Sequence, residues 1–226
     1  MQKKIVNKKL PLIIFDCDGV LVDSEDIANQ VLVKHIQQLG VDITEDHGSR
    51  LYRGLSMSTI LDKIKSQINF PLPEYFLENL QKETFLHFSR SLKAVSGVES
   101  VIIWLMEKGY NICVASSGSY DKLDLTLSIT GLDSYFAPNI FSASEVQKGK
   151  PFPDLFLYAA DQMGFAAEEC IVIEDSLPGV MAASRANMAV FAYCKCQTKI
   201  SIDQMSELGA TIFHDMNELT SFFHRI

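Results

Sequence analysis

The sequence predicts an α/β fold in which a parallel sheet carries helices on both faces and a helical segment is inserted after the first strand. Three observations predict it. Short, largely apolar runs (Leu12–Phe15, Asn111–Ala115, Ile171–Ile173) have the continuous hydrophobicity of strands buried on both faces. They alternate with segments of helical periodicity, the pattern of strands joined by helical crossovers. Residues 24–94, between the first and second runs, carry helical stripes and no convincing strand.

Taken in order, Leu12–Phe15 is the first buried strand. Ser24 is placed to cap a helix whose stripe is Ile27, Val31, Leu32, Ile36 and Leu39, ended by Gly40. Met57, Ile60, Leu61, Ile64 and Ile68 make a second stripe, broken by Phe70-Pro71-Leu72-Pro73, and Phe76, Leu77, Leu80 and Phe88 a third. Val98 to Met106 is a helix stopping at Gly109; the strand Asn111–Ala115 follows, then a helical stretch to Gly131 and a short strand at Ile140-Phe141-Ser142. Pro153 opens a helix containing Phe156, Ala159, Ala160 and Met163. After the strand Ile171–Ile173 come a small-residue helix at Val180–Ala186, a strand at Ala189–Ala192, an edge strand at Thr211–Phe213 and a last helix at Leu219–Phe223. The expected division is an α/β core of residues 1–23 and 95–226, with residues 24–94 as the inserted helical part.

Composition is that of a globular protein: 226 residues, 47% apolar and 21% charged. A net charge of −8 argues against general nucleic-acid binding. It does not exclude an anionic substrate, because a metal or a local cation can reverse the potential within a pocket. Five cysteines without a secretion signal point to thiols in a reducing compartment, and the lone Cys194-Lys195-Cys196 is read as structural. Leu10 to Phe15 is short and interrupted by Pro11, so no membrane span is expected. The expected location is the cytoplasm, and the expected form a monomer without membrane or nucleic-acid partners.

Chemistry concentrates where the predicted strands end. Asp16 and Asp18 follow the first strand with one residue between them, so both can project to one side as the chain opens into a loop at Gly19. Two acids this close need a hard cation such as Mg²⁺, or one of them must keep its proton. In either arrangement one carboxylate can attack a phosphate ester while the other protonates the leaving oxygen. Ser116 and Ser117 end the second strand, Glu174 and Asp175 the strand at Ile171–Ile173, and Lys150 lies in a loop between them. Ligands bind beyond the carboxyl ends of such strands. Each piece has a plainer reading: Ser116 as a helix cap, Lys150 as a solvated loop lysine, Glu174-Asp175-Ser176 as helix-start chemistry. Their coincidence on successive strand ends supplies what phosphoryl transfer needs.

These residues also carry a family resemblance that covers nearly the whole chain. Asp16-Cys17-Asp18-Gly19-Val20-Leu21-Val22-Asp23-Ser24 resembles the first motif of the haloacid dehalogenase superfamily, in its D-x-D-G-x-x-x-D-S form. Ser116 matches the second motif, Lys150 in Gly149-Lys150-Pro151-Phe152-Pro153-Asp154 the third, and Glu174-Asp175-Ser176 with Gly179 the fourth. The insertion resembles the small α-helical cap of the β-phosphoglucomutase and phosphoglycolate phosphatase branch. The resemblance implies a Rossmann-like core and a cap domain. It implies Asp16 as the nucleophile that forms an aspartyl-phosphate, and Asp18 as general acid and then base. Mg²⁺ would be held by Asp16, Glu174, Asp175 and the backbone carbonyl of Asp18. Ser116, Ser117 and Lys150 would bind the transferring phosphate.

Within that branch, the mutases grip a second phosphate with a lysine and an asparagine after the second-motif serine and with a cap arginine. Here the matching positions are Ser119, Tyr120 and Met57, with Arg53 nearby, and a mutase cap histidine corresponds to Ala28. Glu25, Arg53 and Gly54 fall where the cap meets substrate. The expected activity is therefore hydrolysis of small phosphate monoesters, such as sugar phosphates. A sugar-phosphate mutase is the first alternative and a non-catalytic phospho-ligand binder the second.

Overall fold

The structure, a computed structural model, describes residues 10–52, 57–195 and 197–223. Its strands are β1 (Leu12–Phe15), β2 (Asn111–Ser116), β3 (Ile140–Ser142), β4 (Cys170–Glu174), β5 (Ala189–Tyr193) and β6 (Thr211–Phe213). They form one sheet in the order β3-β2-β1-β4-β5-β6, parallel at every pairing. The helices are α1 (Glu25–Gln38), α2 (Glu45–Tyr52), α3 (Met57–Gln67), α4 (Phe76–Ser91), α5 (Val98–Glu107), α6 (Tyr120–Thr130), α7 (Asp133–Phe136), α8 (Asp154–Gln162), α9 (Leu177–Arg185), α10 (Lys199–Glu207) and α11 (Leu219–Phe223).

The alternation of side chains along each strand divides the core into two layers. Ile13, Phe15, Ile112, Val114, Ile171 and Ile173 face one way and pack with α5, α6 and α11. Leu12, Ile14, Cys113, Ala115, Cys170 and Val172 face the other way, onto α8, α9 and α10. The alanines of α9 (Ala182, Ala183) are fully buried there, so that helix lies close against the sheet. Helices α1 to α4 have a cluster of their own, with Val31, Leu32, Ile36, Tyr52, Ile64, Phe76 and Leu80 at its centre. Phe88 and Leu92, at the end of α4, belong instead to the first sheet layer. The two crossing segments run side by side: Val22 bridges Ala94, Asp23 N–H donates to Lys93 O, and Val95 N–H donates to Leu21 O.

Three helices escaped the periodicity argument. α2 is mostly polar and buries only Gly48 and Tyr52. A Cβ on Gly48 would sit 2.2 Å from Val33 Cγ2, so the small residue is what lets α1 and α2 approach. α10 buries Met205 alone, and α7 has only four residues, too few for a stripe to repeat. Among the described residues no helix is long and apolar enough to cross a membrane.

Phe136 is fully buried and meets Phe15 edge-on at 5.7 Å between centroids, on the sheet layer beneath β1. Replacing Phe136 by Ala should lower stability by about 3–5 kcal/mol. The urea midpoint should fall accordingly while the slope of the transition stays unchanged.

Candidate active site

The register of the sheet assembles the site. Phe15 pairs with Ile173, so the next residues, Asp16 and Glu174, leave neighbouring strands side by side. Asp16 N–H still donates to Ile173 O at 2.9 Å, which holds the carboxylate at the end of the ladder. The loop then closes tightly, with Leu21 and Val22 N–H both donating to Cys17 O and Gly19 N–H to Val22 O. Gly19 has φ +75°, and a Cβ there would lie 2.1 Å from Asp175 Oδ2. The turn therefore requires glycine both for its dihedral and for the carboxylate packed over it.

Asp16, Glu174 and Asp175 are all buried, with one oxygen of each within 4.8 Å of the others. Lys150 Nζ donates to Asp16 Oδ1 and to Glu174 Oε1, each at 2.8 Å, and lies over the Phe156 ring. Glu174 Oε2 accepts from Ser176 N–H at 2.6 Å. Gly179, whose N–H donates to Ser176 Oγ at the start of α9, leaves room for that carboxylate: its Cβ would fall 1.7 Å from Glu174 Oε1. The Lys150 loop is braced by Arg185, which donates to Pro151 O and lies against the Phe152 ring.

Burial pushes the Asp16 carboxyl up to about 7, with Lys150 pulling down and Glu174 adding to the rise. Asp175 is raised as well, first by burial and then by the charges of Glu174, Glu25 and Asp16. Burial alone would lower Lys150, but Asp16 and Glu174 outweigh it and the ammonium stays charged. Three carboxylates thus surround one ammonium. The excess of acid, all of it oxygen ligands, suits a hard cation, so Asp16, Glu174 and Asp175 could hold a metal ion.

Asp18 is set apart from that group. Its Oδ1 accepts from Ser24 Oγ at 2.5 Å and its Oδ2 from Lys122 Nζ at 2.6 Å. Burial would raise its carboxyl, but the charge and hydrogen bond of Lys122, together with Ser24, hold it below its ordinary value. Ser24 sits at the α1 N-cap position without making a side-chain cap, a correction to the capping expectation. The hydroxyl is drawn to the stronger, charged acceptor. Ser116 is buried at the end of β2. The Gly118 N–H donates to Ser116 Oγ at 3.2 Å.

Asp16, Asp18, Ser116, Ser117, Lys150, Glu174, Asp175 and Glu25 all line one cavity of about 660 Å³. Leu32, Ile60, Leu77, Leu80, Phe85 and Phe88, from α1, α3 and α4, form its apolar side. Arg53 and Gly54 lie outside the described residues. Lys122 is a charged lining residue that sequence reading missed. It follows Ser119 by three positions, the first turn of a helix where lysine is unremarkable, and nothing local marks it as facing Asp18.

A family model described as haloacid dehalogenase-like hydrolase matches residues 13–193. The 6-phosphogluconate phosphatase of Escherichia coli is 28% identical over 82% of this chain and 83% of its own length. The phosphorylated carbohydrates phosphatase of Thermotoga maritima is 28% identical over 78% of this chain and 81% of its own. Among solved structures, a haloacid dehalogenase-like protein from Agrobacterium tumefaciens superposes with a TM-score of 0.83 at 32% identity, covering 96% of this chain and 98% of that one. A family hydrolase from Deinococcus radiodurans, solved with bound phosphate and sodium, gives 0.80 at 27% identity over 96% of each chain.

A carboxyl raised in the folded state binds a proton that the unfolded chain has already released. Between the ordinary 3.8 and about 7, Asp16 therefore makes the metal-free protein less stable as pH rises. A cation that replaces the proton reverses this, because ligand carboxylates must be deprotonated. The rise in melting temperature produced by a divalent cation such as Mg²⁺ should accordingly grow as pH passes upward through about 7. Thermal melts with and without Mg²⁺ across that range measure it.

Proposed function

The chain belongs to the haloacid dehalogenase-like hydrolase family and is a phosphatase of that family, and on that premise we propose that it is a Mg²⁺-dependent hydrolase of small phosphorylated carbohydrates that works through a phosphorylated Asp16. The observation that carries this reading is the meeting of Asp16, Asp18, Ser116, Lys150, Glu174 and Asp175 on one cavity wall. A phosphoryl group needs a nucleophile, a proton donor for the leaving oxygen, and positive charge around its own oxygens. Each has a candidate there.

In this mechanism a carboxylate oxygen of Asp16 attacks phosphorus. The ester P–O bond breaks, and the departing oxygen takes the proton of Asp18. Water then attacks the aspartyl-phosphate while Asp18 accepts its proton, the bond from phosphorus to Asp16 breaks, and inorganic phosphate leaves. Ser116, Ser117 and Lys150 hold the transferring oxygens. Lys150 already spans Asp16 and Glu174, so it also lessens the repulsion between an incoming phosphate and the nucleophile. Asp16, Glu174 and Asp175, with the backbone carbonyl of Asp18, would hold Mg²⁺, which when bound neutralises charge among the acids and phosphoryl oxygens.

Residues 24–94 act as a cap over a core of residues 1–23 and 95–226, hinged at the paired segments near Asp23 to Glu25 and Lys93 to Gly97. The apolar face that α1, α3 and α4 turn to the cavity supports this, since closure over Asp16 would exclude water competing for the reacting group. Glu25, with Arg53 and Gly54 beyond the described residues, is assigned to leaving-group recognition. The relatives that act on phosphogluconate and on phosphorylated carbohydrates support the substrate class. The chain works as a cytoplasmic monomer, a reading that its buried cysteine thiols (Cys17, Cys113, Cys170 and Cys194), none of them in a disulfide, favour as far as compartment goes. Hydrolysis is preferred over phosphate migration because Ser119, Met57 and Ala28 offer the cavity no second cation, and Lys122 is occupied by Asp18.

Phosphate release from a panel of monoesters should require a divalent cation and stop with chelator. Asp16→Asn should lower release by about 10³-fold or more on every ester while leaving the melting curve cooperative. With a hexose 1-phosphate, free sugar and phosphate should accumulate; comparable formation of the 6-phosphate would establish the mutase instead.

A further inference from the structure

We infer that Lys122 is a positioning residue for Asp18, holding the carboxyl group in the orientation from which it protonates the leaving oxygen. The inference rests on the acid role proposed for Asp18 above. Asp18 has a short side chain on a cavity wall, 29% exposed, where an unrestrained carboxyl would sample several rotamers. Two donors from different elements prevent that. Ser24, at the start of α1, takes Oδ1, and Lys122, in the first turn of α6, takes Oδ2. The two anchors are not equivalent. Lys122 is rooted in the sheet layer, since the next residue, Leu123, and Leu127 are buried in the core cluster. Ser24 heads the helical insertion.

The lysine stem runs beside the phosphate-binding serine: a Cβ on Gly118 would be in ordinary van der Waals contact with both Lys122 Cδ, at 3.4 Å, and Ser116 Oγ, at 3.5 Å. The chemistry then selects which oxygen works. An ammonium has three donors and no acceptor, so it stays on an oxygen that carries no proton. A hydroxyl both donates and accepts, so Ser24 can face Oδ1 whether or not that oxygen is protonated. Lys122 and Ser24 together favour the unprotonated carboxylate; when Asp18 carries a proton, Lys122 on Oδ2 leaves Oδ1 as the oxygen that holds it and passes it to substrate. That O–H bond breaks as the leaving alcohol gains its hydrogen, the ester P–O bond breaks and the bond to Asp16 forms; Lys122 gains and loses nothing. As a stability contact, a part-exposed ion pair of this kind contributes little.

The test compares two esters that differ in their need for an acid. Glycerol 1-phosphate has a poor leaving group, whereas 4-nitrophenyl phosphate leaves readily without a proton. Turnover of both is measured with Mg²⁺ for the wild type, Lys122→Met, Lys122→Gln, Lys122→Arg and Asp18→Asn. In both neutral variants the ratio of kcat for glycerol 1-phosphate to kcat for 4-nitrophenyl phosphate should fall about 10-fold or more, with KM little changed, and Lys122→Arg should restore most of it. Should Lys122→Met melt early, Lys122→Gln supplies the ratio. Equal losses on the two esters, or a change confined to KM, overturn the inference, the latter making Lys122 a substrate contact. If Asp18→Asn itself leaves the ratio unchanged, the acid role of Asp18 falls and the inference falls with it. An Asp18→Asn ratio that drops while that of the lysine variants holds removes the inference alone.

Discussion

The structure depends on holding like charges together. Asp16 and Glu174 leave adjacent parallel strands in register, and Asp175 follows at once, so three carboxylates meet in a buried space. Buried charges of one sign are tolerated only when paired and hydrogen-bonded. Lys150 bridges two of the three, and Ser176 N–H, at the N-cap of α9, donates to the other oxygen of Glu174. What remains unneutralised is a standing demand for positive charge, and that demand is the physical root of the metal and phosphate chemistry proposed for this cavity.

Much of the surrounding fold serves that concentration of charge. The parallel sheet brings strand ends to one rim, and its two apolar layers keep them rigid. Glycine appears where a side chain would collide with the acids, at Gly19 against Asp175 and at Gly179 against Glu174. Ser142, on the edge strand β3, donates to Gly118 O at 2.6 Å and steadies the loop that follows Ser116 at the end of β2. The site is thus preorganised by backbone and packing before any ligand arrives, which is where electrostatic catalysis draws its strength.

The helical insertion supplies the opposite character. Its own cluster lets it fold around residues of α1 to α4, yet Phe88 and Leu92 tie it to the sheet layer and its crossing segments pair with each other. An apolar roof lies over a charged floor, a division that would suit leaving group and phosphoryl group in the proposed reaction. Asp18 stands at that boundary, held from the insertion by Ser24 and from the core by Lys122.

The buried strands were legible because continuous apolar runs have few other uses, and every expected strand is present in the parallel sheet. The acids, Ser116 and Lys150 were legible because their chemistry is tied to strand ends and to fixed motifs, which are local in sequence. Helices α2 and α10 were not, since each buries one or two residues and owes its place to packing rather than to a stripe. Nor was the turning of Ser24 from cap to carboxylate, or the arrival of Lys122 at Asp18, because both contacts depend on where α1 and α6 lie relative to the loop after β1. The sequence by itself determined which groups gather at the strand ends and on what kind of sheet they stand, through short-range pattern and residue chemistry. Only the tertiary structure decided how the Asp18 carboxyl is oriented, since that geometry arises from side chains that meet across elements distant in the chain.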